Sequence, residues 1–220
     1  MGIYIVLMGV QGAGKGTQAA ILKEKLGLPH VSTGDLFRAM KTLDTPLARR
    51  VQDLMEAGEL IPDGVTNEMV EDRLSHADAH RGVILDGYPR NPGQAQFLDN
   101  LLATQGELLT VVPVLELDRE TAIKRAEGRR YSPDKQRVYN IYFNPPKMEG
   151  KDDVTGENLV QRNDDHREAV ERRIDLYYEQ TAPLIEYYEN AGLVAKIDAD
   201  QEISEVTVDV LAAIARRLMN

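Results

Sequence analysis

Ile3-Tyr4-Ile5-Val6-Leu7-Met8 runs directly into Gly9-Val10-Gln11-Gly12-Ala13-Gly14-Lys15-Gly16-Thr17. The first six residues are apolar and rich in β-branched side chains, which suits a strand buried on both faces of a parallel sheet. From Lys15 to Leu26 polar and apolar residues alternate at helical spacing, and Gly27 offers a stop. Between the two, glycines let the backbone curl so that successive N–H groups converge, and the helix adds the positive end of its dipole. An anion fits there. Lys15 can reach terminal phosphates as a point charge, and the Thr17 hydroxyl is close enough in sequence to meet magnesium or a phosphate oxygen. The register is unusual: G-x-x-x-x-G-K is intact, but Gly16 takes the customary Ser/Thr place and the hydroxyl follows one residue later. The plainer reading, a glycine-rich turn with a solvated lysine, fits the strand-loop-helix context less well.

The chain has 220 residues, 42% of them hydrophobic and 28% charged, which is ordinary for a soluble protein of one large or two small domains. No basic segment followed by an apolar region opens it, and no apolar run reaches the ~18 residues of a membrane span. These features predict a cytoplasmic protein. Without cysteine there is neither a disulfide framework nor a thiolate metal site. A net charge of −10 argues against general nucleic-acid affinity. Arginine nevertheless supplies 17 of the 26 basic residues, and it is the better fork for phosphate oxygens.

Short strands are predicted at Leu28–Ser32, Gly82–Asp86, Val111–Leu117 and Leu193–Ile197. Helices are predicted at Asp35–Lys41, Leu47–Ala57, Thr66–His76, after Arg90 through Leu102, at Arg119–Glu127 and at Ile203–Leu218. Alternation of strands and helices points to a parallel three-layer α/β core whose strand C-termini share one edge. The several helices between Asp35 and His76 read as an excursion from the sheet. From Gly128 to about Asp165 the pattern breaks around Pro133, Pro145-Pro146, Gly150 and Gly156, leaving β-prone pieces such as Arg137–Phe143. That stretch is either a small inserted domain or a mobile loop.

Arg38, Arg90, Arg125, Arg129, Arg162 and Arg173 recur where these elements should meet the phosphate edge. One triphosphate needs fewer cations, so the surplus suggests transfer between two phosphorylated molecules. Taken singly, each arginine is as well explained by a surface ion pair. Asp86 ends an apolar strand and is a candidate to hold magnesium through water; capping the next turn is its simpler role. Asp164-Asp165 either pair with arginines or mark a helix N-terminus. No histidine is placed as a general base: His76 and His80 have metal-pair spacing without an accompanying Glu, and His30 and His166 stand alone. An attacking phosphate, with a second pKa of about 6, needs no base.

These motifs, in order, resemble the adenylate kinase family in its long-lid form: Gly9–Thr17, Ser32-Thr33-Gly34-Asp35 with Arg38, Asp86-Gly87-Tyr88-Pro89-Arg90 with Gln94, Gly128-Arg129-Arg130, Phe143-Asn144-Pro145-Pro146-Lys147, Asp152–Glu157, and Arg162 before Asp164-Asp165, then Arg173 and Thr181-Ala182-Pro183-Leu184. The resemblance covers nearly the whole chain. It implies a P-loop NTPase core (1–31, 62–127 and 166–220) with a five-stranded parallel sheet in the order 2-3-1-4-5. A nucleoside-monophosphate flap (32–61) and a β-rich lid (128–165) would be inserted in that core.

By the same resemblance, Gly12, Ala13, Gly14, Lys15, Gly16 and Thr17 would hold ATP phosphates. Arg129 and the backbone of Val138-Tyr139 would contact ATP from the lid, and the Lys196 carbonyl would touch adenine. Thr33, Arg38, Glu59, Leu60, Ile61, Gly87, Tyr88, Pro89, Arg90 and Gln94 would line the AMP site. Lys15, Arg90, Arg125, Arg129, Arg162 and Arg173 would clamp the moving phosphoryl group, Arg162 and Arg173 also reaching AMP, with Thr17 and Asp86 serving Mg2+. The implied partners are ATP and AMP alone, acting on a monomer, with no nucleic acid and no membrane.

Two departures and one matching residue bear on the site. Gln11 replaces the usual proline, which predicts a looser loop. The four lid positions that carry zinc-binding cysteines in some relatives are Ser132, Lys135, Asp152 and Thr155, which predicts a zinc-free lid joined by a Lys135–Asp152 ion pair. Gln94, where UMP- and CMP-using relatives have Asn, predicts a preference for AMP. The rivals are another nucleoside-monophosphate kinase, a regulatory GTPase, for which no N-K-x-D segment exists, and a nucleotide-sensing scaffold, which would lose Lys15, Arg90 or Arg129.

Overall fold

The computed structural model describes residues 2–57 and 61–219. Its strands are β1 (Ile3–Leu7), β2 (His30–Ser32), β3 (Gly82–Asp86), β4 (Val112–Glu116), β5 (Arg129–Tyr131), β6 (Val138–Asn140) and β7 (Val194–Asp198). Its α-helices are α1 (Lys15–Leu26), α2 (Thr33–Met40), α3 (Pro46–Glu56), α4 (Asp63–Leu74), α5 (Pro92–Thr104), α6 (Arg119–Glu127), α7 (Arg167–Leu176), α8 (Ala182–Asn190) and α9 (Ile203–Leu218).

Parallel pairing joins β1, β3 and β2 in that order, and separately β4 with β7. Parallel bridges Ile5–Val111 and Met8–Val114, with the Val6 amide donating to the Val111 carbonyl and the Leu115 amide to that of Met8, lie between the two groups. Leu7, Ser32 and Asp86 share one register, as do Glu116 and Asp198, so the chain leaves each group of strands along one edge.

The period of two along β1 builds the layers. Ile5 and Leu7 face a core that contains Ala19 and Leu22 of α1, Ile123 of α6, Ile174 of α7 and Val210 and Ile214 of α9. Tyr4, Val6 and Met8 face the opposite core, with Val70 and Leu74 of α4, Leu98 and Leu102 of α5, and Leu184 and Tyr188 of α8. Each such fully buried large side chain contributes ~1.5–3 kcal/mol. A third, smaller cluster of Met40, Ala48, Val51, Val65 and Met69 packs α2 and α3 onto the first half of α4, which therefore belongs to both cores.

Local chemistry sets the ends. Thr45 caps α3 ahead of Pro46, Asn91 caps α5 ahead of Pro92, and Asp118 caps α6. Helices α2, α3 and α4 begin one to three residues earlier than their apolar spacing predicts, because Thr33 and Asp63 occupy first turns. Helices α7 and α8, joined by a π-helical turn at Tyr177–Thr181, have no counterpart in the sequence reading. Helix α7 is mostly charged around buried Val170 and Ile174, and α8 is only nine residues long with Leu184 and Tyr188 buried, so neither shows a long apolar stripe.

Between α6 and α7 the chain forms a small β element. Strand β5 pairs antiparallel with β6, and bridges Tyr131–Val160, Asn140–Asn144 and Lys151–Asn158 close the rest. Asp152 is its centre. The Arg137 guanidinium donates to both carboxylate oxygens at 2.8 and 2.9 Å, the Tyr139 hydroxyl at 2.8 Å, and Thr155 through both its amide and its hydroxyl. The expected Lys135–Asp152 pair is thus corrected: Arg137, two residues on, takes the carboxylate with a bidentate fork that an ammonium cannot offer, and Lys135 lies in a tight turn at φ 60°.

Candidate active site

The loop between β1 and α1 is shaped by close approach. Gly9, Gly12 and Gly14 have φ of 141°, 92° and 92°, and a Cβ on Gly12 would stand 2.3 Å from the Ala122 carbonyl oxygen of α6. Glycine is needed there for backbone packing as well as for curling. Ala13 is buried, and Gly14 precedes the first turn of α1. Lys15 donates to the Gly9 and Val10 carbonyls at 2.7 and 2.9 Å. Burial pushes its pKa down, the repulsion of Arg173, Arg129 and Arg90 adds to this, and only Asp86 opposes it. Lys15, Arg90, Arg129, Arg173 and Asp86 therefore share one electrostatic field at the strand edge.

Asp86 ends β3 beside Gly16, where a Cβ would lie 3.9 Å from its Oδ2. His30 Nε2 stands 3.5 Å from the same oxygen. Burial raises the Asp86 pKa, but the His30 imidazole and the Lys15 ammonium outweigh it and hold the carboxylate below its ordinary value. Thr17 is exposed on the same first turn of α1. An ionised carboxylate and a hydroxyl are oxygen donors of the kind a hard divalent cation accepts, so these residues fit Mg2+.

The turn after β3 binds to the start of α2. Thr33 Oγ1 donates to the Gly87 carbonyl at 2.9 Å, and Arg90 Nε donates to the same oxygen at 2.8 Å. Arg90 remains exposed, with its pKa lowered first by desolvation and then by Arg173. Tyr88 is buried with its hydroxyl on Asn67 at 2.6 Å, and Pro89 follows through a cis peptide. Arg38 pairs with Asp35 at the exposed end of α2. Ile61 packs on the small cluster of α2, α3 and α4, whereas Glu59 and Leu60 lie outside the described residues.

Gln94 is buried, and both ends of its amide are engaged. Its Oε1 accepts from the Arg90 amide at 2.8 Å, and its Nε2 donates to Asp63 Oδ1 at 2.6 Å. Asp63, which also accepts from Asn91 at 2.9 Å, is a residue the sequence reading missed. It fixes the orientation of the Gln94 amide, because a carboxylate can only accept.

On the side of the β5–β6 element, Arg129 makes a bidentate pair with fully buried Asp165, Nε lying 3.0 Å from Oδ2 and Nη2 bonding Oδ1. Burial works against the Arg129 charge, but Asp165 outweighs it and raises the pKa. Arg173 pairs with Asp164. Of the two readings of Asp164-Asp165, the structure supports both: they pair with arginines, and they form a 3-10 turn directly before α7. The Arg162 guanidinium lies over the Tyr131 ring, 4.0 Å from its centroid, and that of Arg129 lies 5.5 Å from the same centroid. Tyr131, another missed residue, thus holds two of the predicted arginines. Arg125 donates to the Ala199 carbonyl at 2.7 Å, faces Asp200 at 3.3 Å and lies under Phe143. Val138 is exposed on β6, and Tyr139 is buried into the Asp152 network.

A family model described as adenylate kinase matches residues 7–193. The chain belongs to the adenylate kinase family. It is 45% identical over 212 residues to the adenylate kinase of Symbiobacterium thermophilum, covering 96% of this chain and 98% of that one. It is 47% identical over 213 residues to the adenylate kinase of Streptomyces coelicolor, covering 96% and 98%. With that of Listeria monocytogenes it shares 44% over 206 residues, covering 94% and 96%.

Lys196 is mid-strand in β7, opposite Val114, and its ammonium pairs with Glu189 at 2.8 Å. The chain reaches the strand edge at Asp198, and Ala199, Asp200 and Gln201 follow it there. Gln11, expected to loosen the loop, instead ties it down: its Nε2 donates to the Asp164 carbonyl at 3.2 Å and to Asp165 Oδ1 at 3.1 Å. His76 and His80 are exposed, and among the described residues no cluster of His and acidic residues suits a metal ion.

Proposed function

We propose that this chain transfers the γ-phosphoryl group of MgATP reversibly to AMP, giving two ADP. The observation that carries the reading is that the loop bearing Lys15 is joined through Gln11 to Asp164 and Asp165, which pair with Arg173 and Arg129, while Asp86 stands beside Gly16 and Arg90 lies in the turn after it. Two anions brought together need such a surplus of cations, whereas a hydrolase has only water to position. The curated relatives bear the name adenylate kinase, which supports the same substrates.

In this reading the backbone from Gly12 to Thr17 holds the ATP phosphates at the start of α1. Lys15 exchanges the carbonyls of Gly9 and Val10 for phosphate oxygens, and its buried ammonium is a strong partner for charge that develops in transfer. Arg90 holds the acceptor phosphate from the Gly87 turn, aligned by Thr33, while Arg38 reaches AMP from α2 and Gln94 reads its base after exchanging Asp63. Arg129, Arg162 and Arg173 approach from the lid side, and Arg125 joins them from α6. Thr17 and Asp86 would hold Mg2+, which supplies positive charge to the phosphate oxygens when bound. The Val138-Tyr139 backbone and the Ala199–Gln201 turn are the surfaces offered to the ATP base.

The division into core, flap at 32–61 and lid at 128–165 is part of this proposal. So is a single sheet in the order β2-β3-β1-β4-β7, for which the β1–β4 bridges are the support. The lid is read as zinc-free, since both oxygens of Asp152 serve Arg137 and Lys135 carries no ligand lone pair at neutral pH. Small-molecule substrates suit the net charge of −10 better than nucleic acid does, and no helix among the described residues is long and apolar enough to cross a membrane.

The test is ADP formation from MgATP with and without AMP. The expected result is rapid ADP production only with AMP present; equal phosphate release from ATP alone would favour a hydrolase.

A further inference from the structure

We propose that Gln11 is a positioning residue that docks the Asp164-Asp165 turn onto the phosphate loop and keeps Asp165 partnered while Arg129 engages ATP. The inference rests on the proposed function, which makes Arg129 an ATP contact. Gln11 sits in the loop after β1, yet its Nε2 reaches 153 and 154 residues along the chain, to the Asp164 carbonyl at 3.2 Å and Asp165 Oδ1 at 3.1 Å. The same Asp165 carboxylate holds Arg129 through two bonds and is fully buried. Gln11, Asp165 and Arg129 thus form one connected chain from the phosphate loop to the lid.

The other end of the Gln11 amide argues against a role in stability alone. Its Oε1 is buried and has no hydrogen-bond donor among the described residues. A buried acceptor without a partner is a cost, accepted here for the two bonds made by the nitrogen.

The functional consequence follows from burial. When Arg129 turns from Asp165 to a phosphate, it takes away the carboxylate's charged partner, and a buried carboxylate without partners is expensive. Gln11 Nε2 stays in place as a donor and lowers that cost. A proline at this position carries no donor, and leucine fills a similar volume with none. Loss of Gln11 should therefore weaken ATP binding through Arg129 and leave AMP binding untouched.

The experiment is a double-mutant cycle of Gln11→Leu with Arg129→Lys, read as KM for ATP and for AMP separately and kcat, with thermal midpoints as the folding control. Gln11→Leu is expected to raise KM for ATP about tenfold, the equivalent of one hydrogen bond to a charged partner. KM for AMP should stay within about twofold, and in the Arg129→Lys background the effect on KM for ATP should shrink below about twofold. Gln11→Pro, compatible with the usual loop of the family, serves as the second variant with the same expectation. Unchanged ATP kinetics, an equal rise in both KM values, or a full Gln11→Leu effect in the Arg129→Lys background would each overturn the inference. If Arg129→Lys impairs ATP use and Gln11→Leu does not, only the role of Gln11 falls. If Arg129→Lys itself leaves both KM values and kcat unchanged, the ATP role of Arg129 falls with it.

Discussion

Replacing Asp165 by Asn removes one charge and leaves the side-chain shape nearly intact, so it isolates the Arg129–Asp165 pair. The Asp165 side chain is 0% exposed and that of Arg129 26% exposed. Breaking a buried pair from one side costs about 3–5 kcal/mol when the remaining charge is wholly desolvated. Here the orphaned guanidinium keeps some water, which screens it, and Asn retains an acceptor, so about 2 kcal/mol is the expected loss. At roughly 2–4 °C per kcal/mol for a chain of this size, the thermal midpoint should fall by about 4–8 °C. Asp164→Asn is the internal control. Asp164 and Arg173 are 48% and 46% exposed, so their pair is worth little, and the midpoint should move by less than about 2 °C. Both variants can be compared by calorimetry at one pH and ionic strength. Equal shifts for the two, or an Asp165→Asn midpoint matching the unaltered protein, would refute the claim that burial, rather than short contact alone, makes the Asp165 pair strong.

Arg90→Ala should lower transfer by about 100- to 1,000-fold in a coupled ADP assay with the fold preserved, as removal of a cation facing developing charge does, and unchanged turnover would reject its role. Gly12→Ala forces a Cβ to within 2.3 Å of the Ala122 carbonyl at a φ of 92°; it should cost at least about 2 kcal/mol in denaturant unfolding and weaken ATP binding, and a neutral substitution would contradict the packing described for the loop. The Asp152 pKa is held well below the ordinary carboxylate value, chiefly by the Arg137 hydrogen bonds. A depressed carboxylate contributes stability above its unfolded value and loses it only as pH falls through the folded one, so lid amide protection should be unchanged between about pH 7 and 5. Asp152→Asn should expose the lid to protease at neutral pH; protection already lost at about pH 5 in the unaltered protein would contradict this sign.

Much of the core was legible because its signals are local and reinforce one another. Ile3–Met8 has strand composition, the glycines and Lys15 follow at fixed offsets, and α9 matches its apolar spacing from Ile203 to Leu218. The candidate site was legible where a residue type meets its demand alone, as for Lys15 after three glycines. What escaped was relational. The choice of Arg137 over Lys135 depends on the path of β6, and α7 and α8 each bury only two large side chains, Val170 with Ile174 and Leu184 with Tyr188. Tyr131 under Arg162, Asp63 behind Gln94 and Gln11 against Asp165 join residues 31 to 154 positions apart, and no periodicity in the sequence reports such contacts.

The central claim is that the strand-edge cations serve two nucleotides, one of them AMP. The most direct measurement is ADP formation from MgATP with AMP, UMP, CMP and GMP offered in turn at equal concentration. AMP should be used at least about 100-fold faster than the other three, since a buried amide that loses its base partner forfeits a few kcal/mol. Turnover of UMP or CMP at the rate of AMP, or ATP consumption indifferent to any acceptor, would contradict it.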